Sequence, residues 1–285
     1  MSSILRSGRL LCRSEAASRG ELLVSSGSQV ELSRTAASVK QRVRLYFRPK
    51  TPTQYHAEGI KSAFALQRSR YPDAHCPVPV FLLFDAADVL TRSGTMFSDG
   101  GLNTTDPIFY STAAELAAMP WRLIYHVGSF DSARDRSILH HRQAEVVIPH
   151  ELDLEALKLI VCRSEAEKDT LLHLMGPNLS RQYHKRVVAT GRLSLHERTH
   201  TFVDKAVLSS DAAVFRFSPD TKSPGPFDAR FIIEGQNTVH ETSHRILANR
   251  SLRVTFQPLS SYSITLLLDG HLAYAGSFVD TELVF

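Results

Sequence analysis

A chain of 285 residues has room for one large domain or two modest ones. Hydrophobic residues make up 43% and charged residues 22% of it, a balance that excludes an intrinsically disordered chain. No apolar run approaches the roughly 20 residues of a membrane-spanning helix, and the N-terminus lacks the apolar stretch of a secretion signal. The three cysteines are widely spaced without a CxxC pair, which argues against a disulfide framework. We therefore expect a cytoplasmic protein without membrane contact.

Positive charge is concentrated near the N-terminus. The first 50 residues contain ten lysines and arginines against three glutamates, a net charge of +7, whereas the whole chain carries +4. Within this segment, Tyr46 and Phe47 lie between Arg44 and Arg48. Arginine forks bind phosphates and aromatic faces stack on bases, so the segment favours a nucleic acid or a dinucleotide as ligand. The alternative interpretation is a solvated basic face.

Hydrophobic periodicity predicts a mixed helical and strand region before residue 205. The Ser- and Gly-rich residues 18–38 are expected to form a loop. The predicted helices are 3–13, 85–92, 112–119 and 164–174, and the predicted strands are 43–47, 78–84, 121–126 and 145–148.

The character of the chain changes near residue 205, after which short strands alternate with turn signals. The predicted strands are 212–218, 229–234, 252–257, 262–268 and 271–278. The fold class is therefore α+β, with an α+β domain at residues 1–204 and a smaller all-β accessory domain at residues 205–285.

One sequence motif suggests a zinc hydrolase. His196, Glu197 and His200 match H-E-x-x-H, which on a helix presents two imidazoles to Zn²⁺ and a glutamate as general base. Thr199 disfavours a helix here, and Arg198 would lie beside the metal. We keep zinc hydrolysis as an alternative function.

A second candidate is Glu145, which opens a predicted strand of valine and isoleucine. Glutamate is a poor strand residue, and the side-chain alternation places Glu145 on the face opposite Val146. One interpretation is a surface charge on an edge strand. The other is a carboxylate held rigidly toward a functional site, with Arg142 and Gln143 nearby.

Four stretches of the chain match, in order, the pattern of a known family. They are SILRSGRLLCR (3–13), SVKQR with LYFRPKTP (38–42 and 45–52), FSDG with IFY and Trp121 (97–100, 108–110 and 121) and HRQAE (141–145). Together they resemble the DarT-type ADP-ribosyltransferases. The resemblance covers residues 1 to about 175 and implies an ADP-ribosyltransferase-like split β-sheet.

The resemblance implies transfer of ADP-ribose from NAD⁺ to a nucleic-acid base. Glu145 takes the position of the catalytic glutamate, which contacts the nicotinamide ribose and stabilises an oxocarbenium-like centre. Arg42 matches the basic residue that orients or deprotonates the base, with Arg44 as the alternative. The implied NAD⁺ contacts are Arg13, Arg44, Tyr46 and Phe47, and the implied substrate contacts are Arg48, Lys50, Arg142 and Gln143. No metal ion is expected.

The sequence departs from the family pattern at two points. The N-terminal element with an NAD⁺-binding histidine has no match, and Gly101 stands where the family commonly has histidine. The second departure implies a different base-facing loop, and the resemblance to a divergent branch of the family favours guanine over thymine in single-stranded DNA as the acceptor. The implied role is a toxin or phage-defence effector with an antitoxin that removes ADP-ribose. An RNA-directed transferase and a catalytically inactive nucleic-acid-binding module are the alternatives.

Overall fold

The computed structural model describes residues 1–22 and 27–280. The helices are α1 Ser2–Ser7, α2 Arg13–Ser18, α3 Gln29–Arg34, α4 Ala37–Lys40, α5 Pro52–Ala57, α6 Ala63–Gln67, α7 Ala86–Leu90, α8 Ala113–Ala117, α9 Trp121–Ile124, α10 Arg136–His141 and α11 Glu165–Tyr183. The strands are β1 Arg9–Leu11, β2 Arg42–Tyr46, β3 Val80–Phe84, β4 Met96–Phe97, β5 Glu145–Pro149, β6 Glu151–Asp153, β7 Leu157–Cys162, β8 Val187–Ala189, β9 Val203–Leu208, β10 Ala212–Phe217, β11 Phe227–Glu234, β12 Val239–Ile246, β13 Ser251–Thr255, β14 Ser261–Leu268 and β15 His271–Val279.

The chain divides into two compact units. The first contains Met1–His56 and Leu83–Lys158, and the second contains Ala57–Leu82 and the chain from Leu159 onward. Each unit is therefore discontinuous in sequence. The predicted domain boundary between residues 204 and 205 stays a prediction, and the last five residues of the predicted accessory domain lie outside the described residues.

The first unit is built around β5. This strand is the centre of an antiparallel sheet in the order β2-β5-β4, and β1 pairs with β6 in a separate antiparallel sheet. Val146 and Ile148 pack into the main core of the unit, whereas Val147 packs on the other face with Val39 and Leu102. Because both faces of β5 are covered, a side chain on either face is withdrawn from water.

Three predictions for this unit are wrong or incomplete. The predicted helix 3–13 ends at Ser7, because Gly8 adopts the left-handed conformation at φ 68° that terminates helices, and β1 follows directly. The predicted strand 121–126 contains helix α9 instead. The predicted loop 18–38 contains α3, and its residues 23–26 lie outside the described residues.

In the second unit, two antiparallel sheets share one core. Their strand orders are β13-β10-β9 and β12-β11-β14-β15, and the shared core includes Phe215, Phe231 and Leu266. Buried and partly exposed residues alternate strictly along β14, as expected for a strand with one face on a core. A strand overlaps each of the five stretches predicted after residue 205, and β9 and β12 are additional strands.

A third sheet consists of β3, β7 and β8, with β7 and β8 parallel. Helix α11 begins after Ser164, whose hydroxyl accepts a hydrogen bond from the Glu167 backbone N–H and caps the helix. The helix is kinked where Gly176 leaves helical geometry before Pro177. None of the described helices combines the length and the apolar composition that crossing a membrane requires.

Candidate active site on strand β5

Glu145 is the most deeply buried carboxylate of the first unit's sheet, with 1% of its side chain exposed. It is the first residue of β5, and the alternation of the strand places it on the same face as Val147. The surface-charge interpretation of Glu145 is therefore wrong. A buried carboxylate needs compensating partners, because desolvating its charge is costly.

Arg44 supplies that compensation from the neighbouring strand. Its Nε lies 2.6 Å from Glu145 Oε2, and its Nη2 lies 2.6 Å from Glu145 Oε1, which makes a bidentate ion pair. Arg44 lies opposite Val147 in the β2–β5 register, so its side chain reaches Glu145 diagonally across the sheet. Burial alone lowers the pKa of Arg44, but the hydrogen bonds and charge of Glu145 raise it overall.

A loop closes over the other side of the carboxylate. The Leu102 backbone N–H donates to Glu145 Oε1 at 3.3 Å. Ser98 is bonded twice to the Glu145 backbone: its N–H donates to the Glu145 carbonyl at 2.9 Å, and its Oγ accepts from the Glu145 N–H at 3.3 Å. The Ser98 hydroxyl in turn donates to the Gly100 carbonyl at 2.7 Å. We call residues 98–102 the glutamate loop, because it fixes Glu145 from the side opposite Arg44.

Arg42 has different neighbours. Its Nη1 donates to the Gly94 carbonyl at 3.4 Å, and its guanidinium lies 5.5 Å from the centre of the Phe109 ring. Arg42 lies opposite Pro149, four strand residues or about 13 Å from Glu145. Burial lowers the pKa of Arg42. The ion pair with the glutamate therefore belongs to Arg44, the alternative residue, whereas the catalytic role expected for Arg42 stays a prediction.

Two aromatic residues end strand β2 in different environments. Tyr46 lies directly opposite Glu145 and is 40% exposed, and its hydroxyl donates to Thr53 Oγ1 at 3.4 Å. The Phe47 ring packs edge-on against Trp121 at a centroid distance of 5.3 Å. Tyr46 thus presents an accessible ring beside the carboxylate, and Phe47 supports the core beneath it.

Most of the expected substrate contacts are engaged with the backbone. Arg48 donates to the carbonyls of Ile124 and His126, both at 2.8 Å, and Arg142 donates to the Lys50 carbonyl at 2.8 Å. Gln143 donates to the Leu139 carbonyl at 3.1 Å. These side chains hold loops around β5 in place.

Lys50 and Arg13 lie at turning points of the chain. Lys50 has a positive φ of 56°, and its N–H donates to the Gln54 side chain at 2.6 Å. Arg13 is the first residue of α2. The preceding residue, Cys12, caps this helix, because its sulfur accepts a hydrogen bond from the Glu15 backbone N–H. Their roles in binding stay predictions.

The H-E-x-x-H motif does not form a helix. Arg198 within it has a positive φ of 58°, and the backbone N–H groups of Glu197 and Arg198 both donate to Glu58. Burial lowers the pKa of His196 to about 4, and His200 bonds the Ser223 hydroxyl at 2.7 Å. The zinc-hydrolase alternative therefore lacks the helical face that it requires.

Sequence reasoning missed the glutamate loop. Most of its contacts with Glu145 use backbone groups, which a side-chain pattern in the sequence does not reveal. The FSDG stretch was the available signal, but the resemblance assigned this loop to the substrate base and not to the support of Glu145.

Glu145 is a buried carboxylate paired with arginine on strand β5, and a comparison with protein families identifies the chain as an NAD⁺-dependent ADP-ribosyltransferase. The family model described as "DarT: ssDNA thymidine ADP-ribosyltransferase, DarT" matches residues 1–190, and the chain belongs to that family.

Solved structures of DarT proteins are similar to this chain. Thermus sp. 2.9 DarT in complex with ADP-ribosylated ssDNA is 18% identical with a TM-score of 0.50, over 66% of this chain and 88% of that chain. The same protein in complex with NAD⁺ is 18% identical with a TM-score of 0.47, over 66% and 89%. Thermosipho africanus DarTG in complex with ADP-ribose is 14% identical with a TM-score of 0.45, over 73% and 50%. No curated relative matches the sequence.

Proposed function

We propose that this chain transfers ADP-ribose from NAD⁺ to a base of single-stranded DNA. The observation that carries the proposal is the Glu145 carboxylate, buried on β5 and fixed by Arg44 within the residues that the family model matches. The Thermus protein whose structure contains ADP-ribosylated ssDNA has a related fold, which supports a nucleic-acid acceptor.

The hydrogen bonds of Glu145 leave one acceptor position of the carboxylate unfilled. A carboxylate offers about four lone-pair sites. Arg44 occupies two of them and the Leu102 N–H a third, so one site can accept a bond from a ribose hydroxyl. The carboxylate is preorganised before substrate arrives, which is the condition for electrostatic stabilisation of a developing cation.

The transfer step follows from this placement. The bond between ribose C1′ and the nicotinamide nitrogen breaks, and its electron pair leaves with nicotinamide. Positive charge develops on the ribose ring, where Glu145 stabilises it, and a base nitrogen then forms the new bond to C1′. That nitrogen releases its proton to solvent water, and Arg42 is the residue we assign to orienting the base for this loss.

The acceptor that we propose is guanine rather than thymine, and DNA rather than RNA. The support for guanine is the resemblance to a divergent branch of the family. Where the family commonly has histidine, this chain has Gly101, and a Cβ there would lie in tight contact, 3.3 Å, with the Gln143 Cβ. A loop altered in this way would present a different edge to the acceptor base.

We propose a toxin or phage-defence role in the cytoplasm, with an antitoxin that removes ADP-ribose from the modified DNA. The support for such a partner is what the resemblance to the DarT family implies. The rival function is a nucleic-acid-binding module that retains the fold without transferring ADP-ribose.

The decisive experiment supplies NAD⁺ and single-stranded oligonucleotides that each contain one guanine, thymine, adenine or cytosine, as DNA and as RNA. Mass spectrometry should show one added ADP-ribose on the guanine-containing DNA, with nicotinamide released in equal amount. Modification of the thymine-containing oligonucleotide instead would show that the acceptor base is thymine, and the proposed transferase activity would still stand. Binding of oligonucleotide without nicotinamide release would establish the inactive binding module instead.

A further inference from the structure

A second cluster of polar side chains lies beside the glutamate loop. Asp99 belongs to that loop, and His140 and His141 are the last two residues of α10. One nitrogen from each imidazole and one carboxylate oxygen of Asp99 all lie within 4.8 Å of one another. No other group of three such residues was found in the described ranges 1–22 and 27–280.

The cluster is held by the chain on both sides. His140 Nε2 and His141 Nδ1 each lie 3.8 Å from an Asp99 carboxylate oxygen. His141 Nδ1 also lies 2.6 Å from the Asp99 carbonyl oxygen, to which it donates as an N–H; binding a metal through Nδ1 releases this proton and replaces the hydrogen bond. The His140 ring lies so close to the backbone that a Cβ at Gly100 would overlap it. The two histidines thus converge on a single point of the loop.

We propose that Asp99, His140 and His141 bind a divalent transition-metal ion of the zinc type. Two imidazoles and one carboxylate are donors that Zn²⁺ accepts, and three protein ligands leave a fourth position for water. Ligands at zinc lie about 2.0–2.2 Å from the metal, so contraction of the cluster by small side-chain rotations forms the site. Mg²⁺ and Ca²⁺ prefer an all-oxygen shell, which this cluster does not supply.

The metal fastens the glutamate loop to the end of α10. Asp99 lies between Ser98 and Leu102, the two residues that bond Glu145. His141 is four residues before Glu145 in the chain. The metal ligands therefore come from the glutamate loop and from the end of α10, just before Glu145 in the chain. Metal binding restrains the loop that positions the carboxylate. The proposed transfer assigns no step to the metal, so this site stands independently of the acceptor base.

Zinc titration of the full chain tests the proposal. We expect one equivalent of Zn²⁺ to bind at pH 7.5, with the affinity lowered about tenfold or more in Asp99→Asn and in His140→Ala. His140 is 54% exposed, so its replacement should preserve the fold. The matched control removes two exposed histidines of β12, His240→Ala with His244→Ala, and should bind zinc as the wild type does.

Hydrogen exchange provides a readout besides binding. Zinc should slow amide exchange within residues 98–102 of the wild type and leave it unchanged in His140→Ala. Zinc binding that survives both Asp99→Asn and His140→Ala would overturn the proposal. Loss of the bound zinc in His196→Ala would also overturn it, because the metal would then belong to the other histidine motif.

Discussion

Replacing Glu145 with glutamine should separate catalysis from binding. The two side chains have nearly the same shape, but glutamine removes the negative charge and turns one acceptor oxygen into a donor. One arginine N–H or the Leu102 N–H then faces another donor. We expect transfer to fall by about 10²-fold or more, because the charge that stabilises the developing cation is lost. NAD⁺ affinity should change much less.

Glu145→Gln should also lower the free energy of unfolding, by an amount that depends on the burial of the Arg44–Glu145 ion pair. Breaking a buried ion pair by removing one partner costs about 3–5 kcal/mol. Arg44 remains 24% exposed and can reach water, so we expect the lower end of that range, about 3 kcal/mol. The matched control is Glu241→Gln, which breaks a bidentate pair with Arg230 of similar geometry on an exposed surface. Solvent screens that pair, so its loss should leave both stability and transfer nearly unchanged.

A double-mutant cycle of Arg44→Ala and Glu145→Ala tests the coupling. The double variant should recover part of the stability that Glu145→Ala loses, because no unpaired arginine remains. Transfer should not recover, because the carboxylate is still absent. Urea unfolding and single-turnover transfer to an oligonucleotide measure the two quantities. Near-normal transfer by Glu145→Gln would refute the catalytic assignment, and additive stability losses would refute the ion pair's energetic role.

Three further variants test neighbouring parts of the site and the fold. Arg42→Ala should lower the transfer rate more than NAD⁺ affinity, and the reverse result in single-turnover and calorimetric measurements would make Arg42 a pyrophosphate ligand. Tyr46→Leu should weaken NAD⁺ binding by about tenfold if its exposed ring stacks on the dinucleotide, and unchanged calorimetric affinity would exclude that contact. His196 has a pKa lowered by burial to about 4, so the unfolded chain takes up a proton between pH 6.5 and 4 that the folded chain resists. The stability that His196 contributes is complete above about pH 6.5 and falls as the pH falls, by about 2 kcal/mol at pH 5. Burial lowers the pKa of His75 and of His200 to about 4 as well, so His196→Gln should reduce the pH dependence in urea unfolding without abolishing it, and an unchanged slope would contradict this assignment.

The sequence predicted the elements whose pattern is carried by side chains. Glu145 was identifiable because a charged residue at the head of a Val-Val-Ile strand is unusual, and the structure places it in the core. Strand β14 was identifiable because its buried residues alternate. Strand β12 was not, since nearly all of its side chains are exposed and no apolar face marks it. An edge strand is held by backbone hydrogen bonds, which composition does not encode.

The predictions for short segments were wrong for a related reason. Four apolar or amphipathic residues such as those of α9 fit a period of 2 as well as one of 3.6, so pattern alone does not decide between strand and helix. In the same way, the sequence supplied candidate basic residues but did not show which of them contacts Glu145. Arg42 and Arg44 have the same parity on β2, and only the antiparallel register with β5 decides which of them reaches Glu145. The choice between two arginines was therefore a question of pairing between strands that are distant in the sequence.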